Sequence, residues 1–526
     1  MILIRILIIT GRNSRETIDE IIKLIKGHEI DIEVAPISVS AFLTEKITED
    51  ILNSINLSNY ELVLIPGFAQ WDTTIIENKF SIPVKKGPEF ASDIPIIMKN
   101  LSEITLSNAI PANKLVESSG QKLYEDALRN QLEKAQKNIG QNTFYINENI
   151  SNVMIGLDLP PPIIAEIVNC TQKSDDKILL KVQHYIESQA DIIDIGCVSN
   201  IPNPNRVKEI IKLIRNNFNV LISIDSMDTS EIMAAVNEGI DMILSLDFGN
   251  YEELINLPKD IPIVILPTNI KEGHFPKDPE ERVNNLFKLT KILKDKGFKK
   301  IIADPLLETP IAPGICKSLE TYFLYKKKVS TDDYHEMELP LFFGVSNVVE
   351  LMDIDSVGIN GLLASIAIEL DMGVLFTVEH SSKLMYGVKE LSECVKLNFI
   401  AKCKKTPPIN QGIQIFRAKG KIYQKTPEID ESKSTIISEL KPEYKADING
   451  YFKIHVNHYS GKINVLFFSN DHSMLQTFIG ENAEALSKKI IELNLTDNLY
   501  HVNYLGRELN KAENCLLLGK PYIQDE

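Results

Sequence analysis

The middle of this 526-residue chain repeats one unit, in which a short apolar strand is followed by a helical segment. Each strand is a β-branched apolar run, which predicts a strand of a parallel sheet that is buried on both faces. Eight such units in even succession favour closure into a (β/α)8 barrel over an open sheet. The predicted strands are 163–168, 191–195, 220–224, 242–246, 262–266, 300–303, 341–343 and 373–377.

The segments on either side of this repeat predict further domains. Residues 1–110 alternate strands and helices, beginning with an apolar strand at 2–9, and predict a Rossmann-like α/β domain. A polar helical pattern and a stretch rich in Asn predict a connecting helix and linker over 111–150. The barrel is assigned to 151–403. A hairpin pattern followed by two helical patterns predicts a small α+β domain at 404–526.

Composition narrows the class of protein. The net charge of −16 disfavours a general role on nucleic acid or on an anionic membrane, because both need a basic surface. The six cysteines are scattered without a CxxC pair, which fits a reducing cytoplasm and gives no metal-ligand spacing. Since no apolar stretch approaches a membrane span, we expect a cytoplasmic protein that binds neither membrane nor nucleic acid and has no metal site.

Five of the predicted strands end in an amide or carboxylate side chain. The carboxyl ends of barrel strands hold the active sites of such barrels, so these groups are expected to converge there. A helix cap is a sufficient explanation for some of them, but a proline follows one aspartate directly and leaves less scope for capping. Carboxylates and amides together can bind the donor and acceptor edge of a flat heterocycle. The five residues are Asn169, Asp225, Asp247, Asp304 and Asn347.

On these residues the chain resembles the pterin-binding barrel superfamily. That superfamily contains dihydropteroate synthases and the methyltransferases that use methyl-tetrahydrofolate or methyl-tetrahydromethanopterin. Over its whole length the chain is similar to dihydropteroate-synthase-related proteins of methanogenic archaea. The resemblance implies a barrel that binds a reduced pterin of the tetrahydromethanopterin or folate type, in archaeal one-carbon metabolism. The matching signatures are Asn169, 191–196, Asp225-Ser226 and Asp304-Pro305.

Three departures from the synthases concern positively charged residues. The synthases carry Ser-Thr-Arg after the second strand, where this chain has Val-Ser-Asn at 198–200. They carry Ser-Arg-Lys after the seventh strand, where this chain has Ser-Asn-Val at 346–348, and Arg-x-His at the eighth, where it has Thr-Val-Glu at 377–379. A departing diphosphate would lose its main electrostatic support, so the standard synthase reaction is in doubt.

Two other motifs resemble the methyltransferase branch. Residues 166–169 fit its Glu-x-x-Asn, and residues 344–347 fit its Gly-x-Ser-Asn. In that branch the Asn amide lies near N5 of the pterin, which makes Asn347 the catalytic candidate, with Asp225 as the second. A lysine at a helix start, Lys383, is disfavoured by the helix dipole and suggests an anionic group on the substrate tail. The residues assigned to pterin binding are Glu166, Asn169, Asp247, Asp304, Ser346 and Asn347.

Three functions remain open from the sequence. The preferred hypothesis is methyl transfer from a reduced pterin to a thiol or to a corrinoid, the latter supplied by a partner protein. The first alternative is condensation of a pterin with an arylamine, as dihydropteroate synthases do, in methanopterin biosynthesis. The second is a non-catalytic pterin carrier or assembly module. A homodimer is compatible with all three.

Overall fold

The computed structural model describes residues 4–23, 25–102, 104–140, 142–409, 411–413, 415, 435 and 446–525. The first two positions of the strand predicted at 2–9 lie outside the described residues, as does much of the start of the domain predicted at 404–526. Two compact units are distinguished. One is formed by residues 1–130 with 396–436, and the other by residues 131–395 with 437–526.

The first unit contains a small parallel sheet. Its strands are β1 (Arg5–Thr10), β2 (Glu29–Val34), β3 (Leu62–Ile65) and β4 (Val84–Lys86). Its helices are α1 (Arg12–Ile22), α2 (Glu45–Ser54), α3 (Thr74–Phe80), α4 (Ile94–Lys99) and most of α5 (Ala112–Ala135). The strand order is β2-β1-β3-β4, and all neighbours run parallel because helices provide the crossovers.

The second unit contains the eight strands of the barrel. A two-stranded hairpin, β5 (Phe144–Tyr145) and β6 (Met154–Ile155), precedes them. The barrel strands are β7 (Ile163–Ile167), β8 (Ile192–Gly196), β9 (Leu221–Asp225), β10 (Met242–Leu246), β11 (Ile263–Ile265), β12 (Ile301–Ala303), β13 (Phe342–Gly344) and β14 (Val374–Val378). The helices are α6 (Asp175–Glu187), α7 (Pro204–Asn217), α8 (Thr229–Asn237), α9 (Pro279–Asp295), α10 (Ile315–Val329), α11 (Ser346–Val349), α12 (Ser356–Glu369) and the first half of α13 (Gly387–Lys404).

The eight strands close into a barrel, which confirms the predicted fold class. Their hydrogen-bonded order is β12-β11-β10-β9-β8-β7-β14-β13, with every pair parallel. The ring is completed by a parallel bridge between Ala303 and Leu341 and by the bond from Ala303 N to Pro340 O at 3.0 Å. The barrel therefore has one set of strand carboxyl ends, where the functional site is expected.

The hairpin closes the opposite end of the barrel. Phe144, Ile146 and Ile155 pack in one apolar cluster with residues near the starts of the barrel strands, such as Ile164 and Ile192. The Lys300 ammonium, directly before β12, donates to the carbonyl oxygens of Tyr145 and Ile146. The floor of the barrel is therefore filled with apolar side chains.

The C-terminal part of the second unit is a small α+β domain. Its antiparallel strands are β15 (Tyr451–Asn457), β16 (Lys462–Phe468) and β17 (Met474–Gly480), and its helices are α14 (Ala483–Glu492) and α15 (Leu499–Leu518). Alternate residues of the strands, including Ile463 and Val465, are buried against Leu486 and Leu505 of the two helices. Within the described residues, no helix is both long and apolar enough to cross a membrane.

Candidate functional site

The inward-facing side chains of the first three barrel strands change from apolar to polar along the strand. On β8, Ile192 belongs to the apolar floor, and Asp194 lies two residues further on, pointing to the same side. On β7, Ile164 and Glu166 repeat this arrangement. The polar groups therefore form a layer above the apolar floor, nearer the carboxyl ends of the strands.

Three carboxyl groups of this layer converge. The carboxylate oxygens of Glu166, Asp194 and Asp225 lie within 4.8 Å of one another. Asp194 is fully buried, and its Oδ1 accepts a hydrogen bond from the Ser223 hydroxyl at 2.5 Å. Its Oδ2 is buried without a hydrogen-bond partner in the described structure. An unpaired buried oxygen is costly, so this cluster is suited to a ligand that supplies hydrogen-bond donors or positive charge.

The protonation of this cluster follows from its burial. Burial, with a contribution from the Asp225 carboxylate, raises the pKa of Glu166 to about 8. Burial also raises the pKa of Asp225 to about 6, and it raises the pKa of Asp194 well above its ordinary value. The cluster therefore retains protons near neutral pH. A ligand that brings N–H groups can displace those protons.

A glycine makes room for Glu166. Gly196 ends β8 opposite Asp225, and a Cβ atom placed on it would lie 2.1 Å from Oε1 of Glu166. Any side chain at this position would therefore displace the carboxyl group. In the sequence, this glycine lies two residues after Asp194 on the same strand.

Asp304 follows β12 directly and is 7% exposed. Its Oδ1 accepts a hydrogen bond from Leu306 N at 2.8 Å. Burial raises the pKa of Asp304 to about 7, although the Leu306 N–H group and the Arg282 guanidinium oppose the rise. The negative charge of the Asp225 carboxylate raises the pKa of Asp304 further, so these two predicted site residues interact electrostatically.

Arg282, which the sequence analysis missed, holds the loop that follows Asp304. It lies on α9 and is only 1% exposed. Its Nε donates to Pro276 O at 2.8 Å, one terminal nitrogen donates to Leu306 O at 3.2 Å, and the other pairs with Glu308 at 2.6 Å. The available signal was an arginine in the buried stripe of an amphipathic helix, where a charge needs a partner.

Asn347 lies on α11 at the mouth of the barrel and is exposed. Its Nδ2 donates to Leu307 O at 2.9 Å, in the loop that Arg282 holds. A Cβ atom at Gly344 would lie 3.1 Å from the same Nδ2, so the glycine permits the close approach. Because the amide nitrogen is engaged, the Oδ1 atom is the end of the side chain that can accept a hydrogen bond from a ligand.

Two other predicted residues also lie on this edge of the barrel. Asn169, two residues after β7, is exposed and has a left-handed backbone with φ of 50°. Ser346 is 5% exposed, at the start of α11. Their assignment to ligand binding stays a prediction.

Two predicted residues are engaged by the protein itself. Asp247 is fully buried; its Oδ1 accepts from Gly249 N at 2.7 Å, and its Oδ2 accepts from the Thr268 hydroxyl and Ile270 N. The Lys383 ammonium donates to two backbone carbonyls beyond β13, at Val349 and Met352. These contacts favour structural roles, whereas binding of a pterin by Asp247 and of an anion by Lys383 remain predictions.

Glu379, which directly follows β14, is paired with two basic side chains. The Glu379 carboxylate pairs with Lys181 at 2.9 Å and with His184 at 2.7 Å, and its side chain is almost fully buried. Burial alone would raise the pKa of Glu379, but the bond from His184 and the charge of Lys181 lower it below its ordinary value. Lys181 and His184 therefore already have a partner in the Glu379 carboxylate.

The atoms of this site that could bind a metal ion are carboxylate oxygens. Within the described part of the chain, Glu166, Asp194 and Asp225 are the group whose spacing could hold a metal ion. Oxygen ligands of this kind suit hard cations such as Mg²⁺, and they equally suit a heterocycle with several N–H groups. The predicted lack of a metal stays untested.

Two family models match separate parts of the chain. Residues 167–360 match the family described as Pterin binding enzyme. Residues 446–525 match the family described as PterinBD-DUF4346. The first match spans the strand ends that carry Asp225, Asp304 and Asn347, so a pterin ligand is supported for the barrel.

Relatives match the chain over very different lengths. An uncharacterized protein of Methanocaldococcus jannaschii is 34% identical over 99% of this chain and 98% of its own length. The dihydropteroate synthase of Haemophilus influenzae is 35% identical in an alignment of 105 positions, and the match covers 16% of this chain and 38% of the synthase. A dihydropteroate synthase of Streptococcus pyogenes is 29% identical over 184 residues, which are 32% of this chain and 66% of that enzyme.

Solved structures include dihydropteroate synthases with low identity to this chain. The crystal structure of the Yersinia pestis enzyme has 17% identity and a TM-score of 0.38, and it covers 51% of this chain and 100% of its own. The Vibrio fischeri enzyme has 15% identity and a TM-score of 0.38, with the same coverage.

Proposed function

This chain belongs to the family of pterin-binding barrel proteins related to dihydropteroate synthases, and on that premise we propose that it transfers a methyl group from N5 of a reduced pterin to a nucleophilic acceptor. The pterin is of the tetrahydromethanopterin or folate type. The acceptor is a thiol or a corrinoid that a partner protein supplies.

The observation that carries this proposal is the cluster of carboxyl groups at the barrel mouth. Glu166, Asp194 and Asp225 lie within 4.8 Å of one another, and the field of Asp225 reaches Asp304. Two unit charges about 4 Å apart interact by about 4 kcal/mol at a dielectric constant typical of protein surfaces. Such a site favours a ligand that carries N–H groups or a positive charge over a diphosphate.

The chemistry of methyl transfer requires such a field. A neutral tertiary amine is a poor leaving group, so N5 must be protonated before the bond from the methyl carbon to N5 breaks. The acceptor then supplies the electron pair of the new bond to the methyl group. N5 keeps the pair of the broken bond and leaves as a neutral amine that retains its proton. Carboxylates near N5 stabilise the cation that precedes transfer.

Different residues of the site are assigned to different parts of the pterin. Asp304 and the Glu166 cluster are assigned to the donor edge of the pterin ring, because carboxylates accept hydrogen bonds from its amino and ring N–H groups. Asn347 is assigned to N5, since its Nδ2 is held by Leu307 O and its Oδ1 can accept from a protonated amine. Asp225 is the second catalytic candidate.

A second function is favoured by the similarity to curated synthases. Dihydropteroate synthases of Haemophilus influenzae and Streptococcus pyogenes are similar to parts of this chain, which favours condensation of a pterin with an arylamine. The carboxyl groups of the site and the pairing of its basic side chains disfavour a diphosphate leaving group. Two basic side chains of this region have partners within the protein: Lys383 donates to backbone carbonyls, and Lys181 pairs with Glu379.

The test is a single-turnover assay of the full-length protein. It is mixed with an N5-methyl reduced pterin and either reduced cobalamin or a thiol, and the methylated acceptor is measured. Asn347→Ala should lower the transfer rate on the order of 10²-fold, the cost of one preorganised dipole, with a smaller effect on pterin affinity. Asn217→Ala is a matched control, because Asn217 Nδ2 makes a similar 2.8 Å bond to Leu213 O at the end of α7.

Two outcomes would replace the proposal. Product formation from a pterin diphosphate and an arylamine, without methyl transfer, would establish the condensation. Pterin binding without turnover in either assay would identify a carrier.

A further inference from the structure

The strand order of the small parallel sheet in the first unit creates a crevice between β1 and β3. The connection through α1 leads from β1 to β2 on one side, and the connection through α2 then returns past β1 to β3 on the other side. The two helices cover opposite faces of the sheet, since α1 shares an apolar cluster with Ile6 and Ile8, and α2 shares one with Leu7 and Ile9. In open parallel sheets, ligands bind beyond the carboxyl ends of the strands at such a reversal.

A cavity of about 70 Å³ lies at this crevice. One water molecule needs about 10–15 Å³ by this measure, so the cavity has room for several waters or for one edge of a small ring. Its lining combines polar and apolar side chains from the ends of the strands and from the loops that follow them. They include Thr10, Ser14, Ser40, Ile65, Glu89 and Ala91.

Two glycines bring the loops around the cavity into contact. A Cβ atom at Gly67 would lie 2.6 Å from the backbone carbon of Pro88, so the loop after β3 packs directly on the loop after β4. A Cβ atom at Gly11 would lie 2.8 Å from Ser40 N, so the loop after β1 packs on the loop after β2. A side chain at either position would push apart the loops that bound the cavity.

Three hydroxyl groups at the cavity form a chain of hydrogen bonds that leaves one hydrogen over. The Ser40 Oγ atom accepts from Gly11 N at 3.0 Å and donates to Ser14 Oγ at 2.9 Å. Because a hydroxyl carries one hydrogen, Thr10 is the donor in its 3.0 Å contact with the same Ser40 oxygen. The hydrogen of the Ser14 hydroxyl is not used in this chain, so it can be donated to a ligand.

The Glu89 carboxylate supplies hydrogen-bond acceptors. Its Oε2 accepts from Asn113 Nδ2 at 3.0 Å, and its Oε1 pairs with the Lys114 ammonium at 3.1 Å. The bond from Asn113 holds the pKa of Glu89 below its ordinary value, so the group is ionised at neutral pH. Each carboxylate oxygen can accept two hydrogen bonds, and both therefore retain a position for an N–H group of a ligand.

The same crevice is unsuited to a phosphate. The first two backbone N–H groups of α1 donate to Ile37 O at 2.9 Å and to Ser38 O at 3.0 Å, so the start of this helix has no free donors for an anion. Among the described residues that line the cavity, Glu89 carries the only charge, and it is negative. The lining therefore selects neutral or cationic ligands with N–H groups.

Two exposed aromatic rings lie at the rim of the cavity. Phe68 follows Gly67, and Phe90 lies between the lining residues Glu89 and Ala91. The two rings are 44% and 58% exposed and meet edge to face, with centroids 5.4 Å apart. Exposed rings of this kind can stack on the flat ring of a ligand whose edge enters the cavity.

We propose that this crevice binds a flat nitrogen heterocycle through an amino group beside a ring nitrogen, as adenine presents them, in a nucleoside without phosphate. The amino group donates to Glu89, and the ring nitrogen accepts from Ser14. The face of the ring lies against Phe68 and Phe90. All of these residues belong to the first unit, so the site is independent of the barrel and of the methyl transfer proposed for it.

The first test is calorimetric titration of the full-length protein with adenosine. Inosine, which has a carbonyl oxygen in place of the amino group, should bind at least about tenfold more weakly, because that oxygen would face the carboxylate. AMP should bind no more tightly than adenosine.

Variants assign the binding to named side chains. Glu89→Gln should lower the affinity for adenosine by at least about tenfold, and Ser14→Ala by about three- to tenfold. Glu125→Gln is the matched control, because Glu125 is an exposed carboxylate of α5 that accepts from Gln121 of the same helix. It should leave the affinity unchanged. Far-ultraviolet circular dichroism verifies that the variants fold.

The second test locates the ligand. The protein is irradiated with 8-azidoadenosine, and the labelled peptides are identified by mass spectrometry. Label is expected in residues 66–71 or 87–91. The proposal is overturned by label confined to the barrel, by the lack of saturable adenosine binding, by equal affinity for inosine, by tighter binding of AMP, or by Glu89→Gln binding adenosine as tightly as Glu125→Gln.

Discussion

Replacing Glu166 with Gln tests the electrostatic account of the barrel mouth. The substitution preserves the size of the side chain beside Gly196 and removes its ionisation. In the folded protein, burial and Asp225 raise the pKa of Glu166 from 4.5 to about 8. That difference corresponds to about 5 kcal/mol of stability, because one pKa unit is worth about 1.4 kcal/mol. The figure is an upper bound, since Asp194 and Asp225 share the protons of the cluster.

The sign of the effect follows from linkage. A carboxyl group whose pKa is raised on folding favours the folded state while it is protonated, below its unfolded pKa of 4.5. That stability is lost progressively as the pH rises through about 8. Glutamine cannot ionise, so Glu166→Gln should match the unmodified protein in acid. It should become the more stable of the two by several kcal/mol above the raised pKa.

Urea unfolding followed by circular dichroism across this pH interval measures the difference. Glu187→Gln is the control, because Glu187 is exposed on α6 and its carboxylate accepts a hydrogen bond from Gln183 of the same helix. A gap between Glu166→Gln and the unmodified protein that stays constant with pH would refute the reasoning. It would mean that Glu166 ionises as readily in the folded barrel as in the unfolded chain.

Three further predictions concern neighbouring residues. Asp304→Ala should weaken pterin binding by about 1.5–3 kcal/mol in calorimetry, the value of a hydrogen bond to a charged group, and unchanged affinity would remove Asp304 from the site. Arg282→Lys keeps the charge but loses the directed bonds to Leu306 and Glu308, so we expect a lower turnover number and a loss of about 1–3 kcal/mol in unfolding free energy. Asp247→Asn should cost about 1–3 kcal/mol in the same unfolding measurement, because its amide would face Ile270 N–H; an equally stable variant would contradict the structural role of this carboxylate.

Continuous apolar runs and helical patterns were sufficient to predict the barrel and its strands, since parallel strands that are buried on both faces lack polar alternation. These patterns did not predict that Asp194 faces the barrel interior. The direction of a charged side chain inside an apolar run can be predicted only when the register of the neighbouring strands is known. Arg282 was missed for a related reason: two of its three acceptors, Leu306 and Glu308, lie on the loop after β12, which the folded barrel brings to α9.

Asp247 is a residue whose role the local sequence pattern could not distinguish. As a carboxylate at a strand end it has the same local signature as Asp304 and Asp225. What distinguishes it is the Thr268 hydroxyl and Ile270 N–H group, which reach it from the loop after the next strand. Long-range partners of this kind leave no trace in the local pattern, so the sequence alone could not separate a carboxylate bound by its own loops from one facing a ligand.

The apolar hairpin at the base of the barrel has a consequence for the order of events. Because Phe144, Ile146 and Ile155 fill that end, we expect molecules to reach the carboxyl cluster from the carboxyl ends of the barrel strands. Under the proposed function, a pterin bound at Glu166 and Asp304 lies deep in the barrel, and the acceptor of the methyl group approaches from the outer side of the pterin. The acceptor is then the last to enter and the first to depart, which predicts ordered rather than random kinetics for any two-substrate reaction carried out here.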